Sequence, residues 1–489
     1  MLKLKKKFYI TSTLAYTNAS PHIGFALEII QADVIARYHR QKGEEVFFNT
    51  GTDEHGLKIY RKAEEQNLSS KDFCDIYAKK FADLKRSLNL SYNSFIRTTD
   101  EKHIKATQEF WKRCEKNGDI YKKNYKIKYC VGCEMEKTES ELVDGQCPLH
   151  PNQDLEIIEE ENYFFRYSKY QNKLLDLYKN NPEFVLPRSR FNEIKEFTKK
   201  GLEDFSVSRL KEKSPWGIDV PGKDEHTMYV WFDALVNYIS CLGWPDDLKK
   251  FNDFWPGIQI AGKDNLRQQS SMWQAMLMSA GLKPSKQILI HGFITSNGQK
   301  MSKSLGNVIN PFDLVKKYGT DAVRYFLLRE ITPTEDGDFT YEKFESRYDS
   351  DLASGLGNLV ARVVTMAEKI NLISQSPTSN LQTEIDETWR KYKTSLDNFK
   401  FNEGLVSIWE LISFCDKYIE KEKPWEKLEN QISAINDLLI ALANITQMLQ
   451  VFLPETSEEI FKQLGTSSSD KKWCFKVKKG ESLFPRLIS

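Results

Sequence analysis

The 489-residue chain has 40% hydrophobic and 28% charged residues, which excludes a disordered or bilayer-filling polymer and fits a chain that buries cores in water. At about 100–200 residues per domain it predicts two to four units. The formal net charge of +1 excludes a uniformly basic surface, so a polyanionic partner would be held by local patches such as "YKKNYKIKY" and "DKKWCFKVKKG", runs that more often mark a solvated face.

In chain order, "MLKLKKKFYIT" is basic but lacks an apolar run of signal-peptide length, so a cytosolic protein is expected. "KKFYITSTLAY" predicts a strand, "HIGFALEIIQADVIARYHRQKG" a helix by its 3.6-residue apolar period, and "EEVFFNTGTDEHG" a second strand ending at Gly. Strand, helix and strand begin a doubly wound parallel sheet, whose ligands sit at the carboxyl ends of its strands. The first corner, "NASPHIGFALE", contains Asn18, His22 and Gly24. It reads either as a phosphate-holding turn or as a helix start with His22 packed on Tyr16, and spacing alone does not decide.

The pattern breaks near Asn117, and residues 118–225 read as an insertion with a small core of its own, leaving through "SPWGIDVPGKDEH". Eight cysteines are too few for a disulfide framework, yet Cys130, Cys133, Cys147 and His150 are spaced C-x2-C-x13-C-x2-H. Two close pairs, each on a turn, can close a tetrahedron of soft ligands. The expectation is a structural zinc ion with no position left for water. Strand signals return in "MYVWFDAL", "IQIAGKDN" and "QILIHGFI". "GQKMSKSLGN" then sets Lys300 and Lys303 between Gly298 and Gly306, a loop able to carry two compact cations toward a phosphate chain or simply to be solvated. After about Tyr341 the character changes to amphipathic helices, and Leu438–Leu453, interrupted by Asn444, Thr446, Gln447 and Gln450, reads as a bundle helix rather than a membrane span. The expected division is 1–117 and 226–340 for the two halves of a sheet domain, 118–225 for the insertion and 341–489 for a helical domain.

"KMSKS" and Y-x-N-x-x-x-H-x-G (Tyr16, Asn18, His22, Gly24), with "ADVIARYHRQKGEEVFFNTGTDEHG", "YVWFDAL", "AGKDN", "DLASGLGNLVAR" and "KPW", resemble the methionyl-tRNA synthetase family of class I aminoacyl-tRNA synthetases over essentially the whole chain. The resemblance implies a Rossmann-like parallel sheet interrupted by a zinc knuckle and followed by an all-α anticodon-binding bundle. It further implies ATP, L-methionine and tRNA(Met) as partners, Mg2+ travelling with ATP, and a monomer. His22, Lys300 and Lys303 would act on the phosphates, with Asn18, Gly24 and Ser302 also at the nucleotide. Leu14, Tyr16, Asp53, Trp231, Ala234, Tyr238 and Gln269 would line the methionine site, although Trp231 and Tyr238 also read as ordinary core aromatics. Trp473 would stack on an anticodon base or pack in the core.

Members of the family usually read H-x-G-H. Here Phe25 takes the place of the second histidine and Gln269 that of another, while Thr13 and Leu235 also depart from common choices. The expectation is an active enzyme in which His22 and the loop lysines carry more of the transition-state stabilisation. The alternatives are a non-catalytic tRNA-binding paralogue, supported by Phe25 alone, and a class I synthetase for another apolar amino acid, for whose usual editing domain the insertion is too short.

Overall fold

The computed structural model describes residues 5–137, 141–301, 305–368, 379–426, 428–467 and 473–487, and the chain forms two compact units. One comprises Met1–Pro21, Glu44–Asp83 and Tyr92–His291; the other comprises His22–Gly43, Leu84–Ser91 and Gly292–Ser489.

In the first unit, β-branched and aromatic runs form a seven-stranded sheet. Its strands are β1 (Lys7–Thr11), β2 (Ala15–Tyr16), β3 (Glu45–Asp53), β4 (Ser94–Arg97), then β8 (Val185–Leu186), β10 (Ile258–Gly262) and β11 (Gln287–His291). They are parallel in the order β2-β3-β1-β10-β11-β8, with β4 also on β3. Ile10 pairs with Ile258 and Ala261 with Ile290 in its centre, and each is buried. The long strands are almost continuously buried, as in sheets covered on both faces. Parallel pairing puts the ends of β1, β3 and β10 at one edge, where Leu14, Asp53 and Gly262 follow or close them.

Two expectations are corrected here. "MYVWFDAL" ends a strand at Met228 and turns helical over Val230–Leu235, because a short apolar run suits a buried helix as well as a strand and its length alone cannot separate the two. The insertion does not keep a separate core: Tyr163, Phe165, Tyr170 and Leu174 belong to the same buried cluster as Tyr9, Trp273 and Ile288. Val185–Leu186 even joins the parallel sheet, a two-residue strand too short to show a period.

The insertion also builds an antiparallel sheet from β5 (Ile120–Cys130), β6 (Met135–Lys137), β7 (Glu156–Phe165) and β9 (Phe205–Ser206). β5 ends at Cys130, so the cysteine turn hangs from the tip of its longest ladder, in which Tyr129 pairs with Glu156.

In the second unit, α1 (Ile23–Gln41) lies with the C-terminal helices, among them Phe401–Glu422, Leu428–Leu449 and Pro454–Leu464. Arg324 is fully buried and pairs with Asp33 of α1 at 2.9 Å, while its remaining donors reach the carbonyls of Phe452 (2.7 Å), Leu88 (3.0 Å) and Val451 (3.2 Å). Asp33 also accepts from Arg37 and Ser91, so a buried charge pair whose desolvation is costly has its other polar atoms satisfied. Gln431–Leu449 has the length and apolarity to cross a membrane, but 78% of that window is buried within the fold, which makes it a core helix.

Candidate functional site

Three groups of residues are candidates for a functional site, and the first lies at the carboxyl edge of the parallel sheet. Tyr16 pairs with Asp53 in the β2–β3 register, and Leu14 precedes them on the same strand connection. Asp53 is 9% exposed, its Oδ1 is buried without a hydrogen-bond partner, and burial, then the neighbouring Asp233, raises its pKa well above the usual carboxylate value. A buried carboxylate so placed favours a cationic group brought against it. Trp231 and Ala234 share the short helix 230–235, and the indole Nε1 of Trp231 is likewise buried without a partner.

Tyr238 and Gln269, both buried, are joined directly: the Gln269 amide Nε2 donates to the Tyr238 hydroxyl at 2.7 Å, and Gln259 of β10 donates to Gln269 Oε1 at 3.3 Å. The amide thus has its acceptor and one donor engaged within the fold, as a tyrosine-orienting group requires.

Sequence reading did not find the group that holds this edge together. Asp233, fully buried, accepts from His55 Nδ1 at 2.6 Å and from His103 Nε2 at 2.8 Å, and His103 Nδ1 meets Ser240 Oγ at 2.9 Å. Burial works to raise the Asp233 pKa, but the charge of His55 and the hydrogen bonds of both histidines outweigh it and hold it below the ordinary value. An acid within the apolar run "YVWFDAL" was the available signal; its partners, 178 and 130 residues away, were not visible.

The second group lies in the other unit. His22 is the N-cap of α1, and its Nδ1 accepts the backbone N–H of Gly24 at 3.0 Å. That bond requires a neutral ring with its proton on Nε2, leaving Nε2–H to donate outward. The ring reaches solvent, yet the protein packed around it disfavours the charged form and lowers its pKa from 6.5. A Cβ on residue 24 would lie 2.9 Å from His22 Cε1, so a side chain there would push the ring from its place in the cap. The segment carrying Lys300 docks on the same helix start: Ile23 N–H bonds to Ile309 O at 3.0 Å, and Met301 Cε lies 3.9 Å from the position of that Cβ. Lys300 is exposed at the end of a two-residue strand. Ser302 and Lys303 lie outside the described residues. Asn18, in the first unit, gives its carbonyl to Lys62 Nζ at 3.0 Å, and Trp473 stacks on Phe461 with centroids 6.1 Å apart.

The third group is a cluster of candidate metal ligands. One donor atom from each of Cys130, Cys133, Cys147 and His150 falls within 4.8 Å of all the others, a set able to hold a metal ion. Cys133 Sγ lies 3.5 Å from Cys147 Sγ and 3.2 Å from His150 Nδ1. Gly132 allows this closure, since a Cβ there would lie 2.5 Å from His150 Cγ.

Comparison with known proteins gives the family. A family model described as tRNA synthetases class I (M) matches residues 8–155 and 149–364, and one described as the anticodon-binding domain of tRNA ligase matches residues 379–480. The methionine–tRNA ligase of Caldanaerobacter subterraneus is 41% identical over 99% of this chain and 79% of its own. That of Thermotoga maritima is 42% identical over 95% and 76%. The Mycobacterium tuberculosis methionyl-tRNA synthetase solved with methionyl-adenylate superposes with a TM-score of 0.93 at 35% identity, over 98% of this chain and 100% of that one. The parallel sheet and the helical region are those of a class I aminoacyl-tRNA synthetase. Within that class, the chain belongs to the methionine–tRNA ligase family.

Proposed function

We infer that the chain attaches L-methionine to tRNA(Met) using ATP. The methionine carboxylate attacks the α-phosphate, pyrophosphate leaves, and the terminal adenosine of the tRNA then takes the methionyl group from the adenylate. The observation that carries this reading is the 41% identity across 99% of the chain to a methionine–tRNA ligase, joined to the likeness to a synthetase that holds methionyl-adenylate. No covalent enzyme intermediate is called for, so the protein's work is alignment and charge stabilisation.

The buried carboxylate of Asp53 would take the methionine ammonium in a charge-assisted pair. Leu14, Tyr16, Trp231, Ala234 and Tyr238 would surround the side chain, where a thioether packs favourably at aromatic edges, with Gln269 orienting Tyr238. His22 would donate Nε2–H to a phosphate oxygen at a helix start whose backbone N–H groups also favour anions. Asn18 and Gly24 would complete the corner, and Lys300, Ser302 and Lys303 would close over the departing pyrophosphate, with Mg2+ arriving as part of the nucleotide substrate. Trp473 would lie at the anticodon. The setting would be the cytosol.

Three thiols and one imidazole whose donor atoms lie within 4.8 Å of one another are a donor set that suits zinc, which takes cysteine sulfur at about 2.3 Å. Bound there, zinc would cross-link the turns at Cys130–Cys133 and Cys147–His150; with all four positions filled by protein it would serve structure.

Pyrophosphate exchange into ATP with single amino acids tests the reading. Exchange that depends on methionine is expected, and exchange driven by leucine, or none with any amino acid, would overturn it.

A further inference from the structure

A single carboxylate ties the metal-ligating turn to Tyr16. Glu134 directly follows Cys133, holds a left-handed backbone at φ 50° and is 5% exposed. Its Oε1 accepts the Tyr16 hydroxyl at 3.0 Å and the Lys58 backbone N–H at 2.6 Å; its Oε2 accepts the Tyr129 hydroxyl, and its main-chain carbonyl accepts the Tyr229 hydroxyl. Lys58 reaches back into the same turn, Nζ donating to Gly132 O at 2.9 Å. There is little slack among these groups: a Cβ on Gly56 would come within 2.7 Å of the Tyr16 hydroxyl oxygen and 3.0 Å of Glu134 Oε1. Tyr16 in turn pairs with Asp53 across the β2–β3 edge.

We propose that Glu134 is a positioning residue for methionine: by holding the Tyr16 hydroxyl it fixes that ring against the amino-acid site, and because its backbone closes the turn that carries Cys133, its N–H bonding to Val131 O at 3.3 Å, order at the metal centre reaches methionine affinity through this carboxylate. Glu134 stands outside the donor set of Cys130, Cys133, Cys147 and His150. The proposal rests on the methionine reading of the site. A negative, fully engaged acceptor is a stronger anchor for a phenol than the second acceptor nearby, the His55 carbonyl at 3.1 Å.

The test uses the full chain with its metal content measured by elemental analysis, comparing Glu134→Ala, Glu134→Gln, Tyr16→Phe and the double variant Glu134→Ala/Tyr16→Phe. Readouts are methionine KM and kcat in pyrophosphate exchange and methionine Kd from tryptophan fluorescence. Glu134→Ala is expected to retain its metal and its ATP KM while methionine KM and Kd rise about tenfold, the scale of one charge-assisted hydrogen bond. Glu134→Gln, which keeps an Oε1 acceptor, should recover most of that loss, and the double variant should bind methionine no more weakly than the weaker single one. Unchanged methionine Kd in Glu134→Ala, an additive double variant, or loss of metal from both Glu134 variants would each overturn the proposal. An unaltered chain without methionine-dependent exchange would instead sink the functional reading, so the two failures are distinguishable.

Discussion

The backbone N–H of Gly24 donates to Nδ1 of His22 at 3.0 Å, so the helix cap and the tautomer of the imidazole are one structural fact. A methyl group on residue 24 would press on the ring at 2.9 Å and turn it from the cap. Gly24→Ala should therefore slow adenylation on the order of a hundredfold, the scale of one misplaced transition-state donor. Methionine KM should stay as it is. Alanine is the better helix former, so a folding defect is not the expected cause of the loss. Pyrophosphate exchange at saturating methionine measures it, and an unchanged rate would remove His22 from the phosphate role.

This corner was legible in the sequence because a cap is local: three consecutive residues contain both the acceptor and the small residue that makes room for it. The sheet was legible for a similar reason, since "KFYIT", "EVFFNTGTD", "IQIAG" and "QILIH" each hold a short run of apolar or aromatic residues such as a strand buried in a covered sheet needs. "MYVWFDAL" was misread because apolar density does not distinguish a buried helix from a buried strand. The Asp233–His55–His103 group and the grip of Glu134 on Tyr16 were hidden because their members converge only in space. The role of Gln269 in place of the usual histidine was open in the sequence, and its hydrogen bond to Tyr238 could be seen only in three dimensions.

Phe25 sits half-buried in the first turn of α1, its N–H bonded to His22 O at 3.1 Å, and its side chain offers no donor to a phosphate. If the corner lacks one transition-state donor, Phe25→His should raise the adenylation rate by about ten- to a hundredfold. ATP affinity should change less than the rate. Single-turnover formation of methionyl-adenylate would show it; a rate that stays level or drops means that the phenylalanine costs the enzyme nothing.

The Cys3His turn leads to a prediction with two independent readouts. Gly132→Ala places a methyl group 2.5 Å from His150 Cγ and should push the imidazole out of the donor set. Bound zinc is expected to fall well below one per chain, and exposing the unaltered chain to a strong chelator should reproduce the loss. Both treatments should lower the thermal midpoint, because metal bound only by the folded state stabilises it. Full zinc occupancy in Gly132→Ala would show that the turn tolerates a side chain and that the glycine serves no closure.

Asp321 gives the second unit a pH dependence whose sign can be worked out. Its Oδ2 accepts the Thr456 backbone N–H at 2.6 Å at the start of the helix Pro454–Leu464, while its Oδ1 is buried without a hydrogen-bond partner. Burial pushes its pKa up to about 6 from 3.8, and the Thr456 bond and Arg324 offset only part of that rise. Between those values the folded chain binds the proton that the unfolded chain releases. The contribution of Asp321 to stability is thus fully present below about pH 4 and is lost as pH rises through about 6, a loss on the order of 3 kcal/mol by pH 7. Asp321→Asn keeps an acceptor for Thr456 N–H and removes the titration. The variant should therefore gain on the unaltered protein as pH is raised from about 4 to 7, with the gain levelling off above it. Thermal midpoints of both proteins across that range measure this difference; a gap that does not change with pH would mean that the buried carboxyl titrates alike in the folded and unfolded chains.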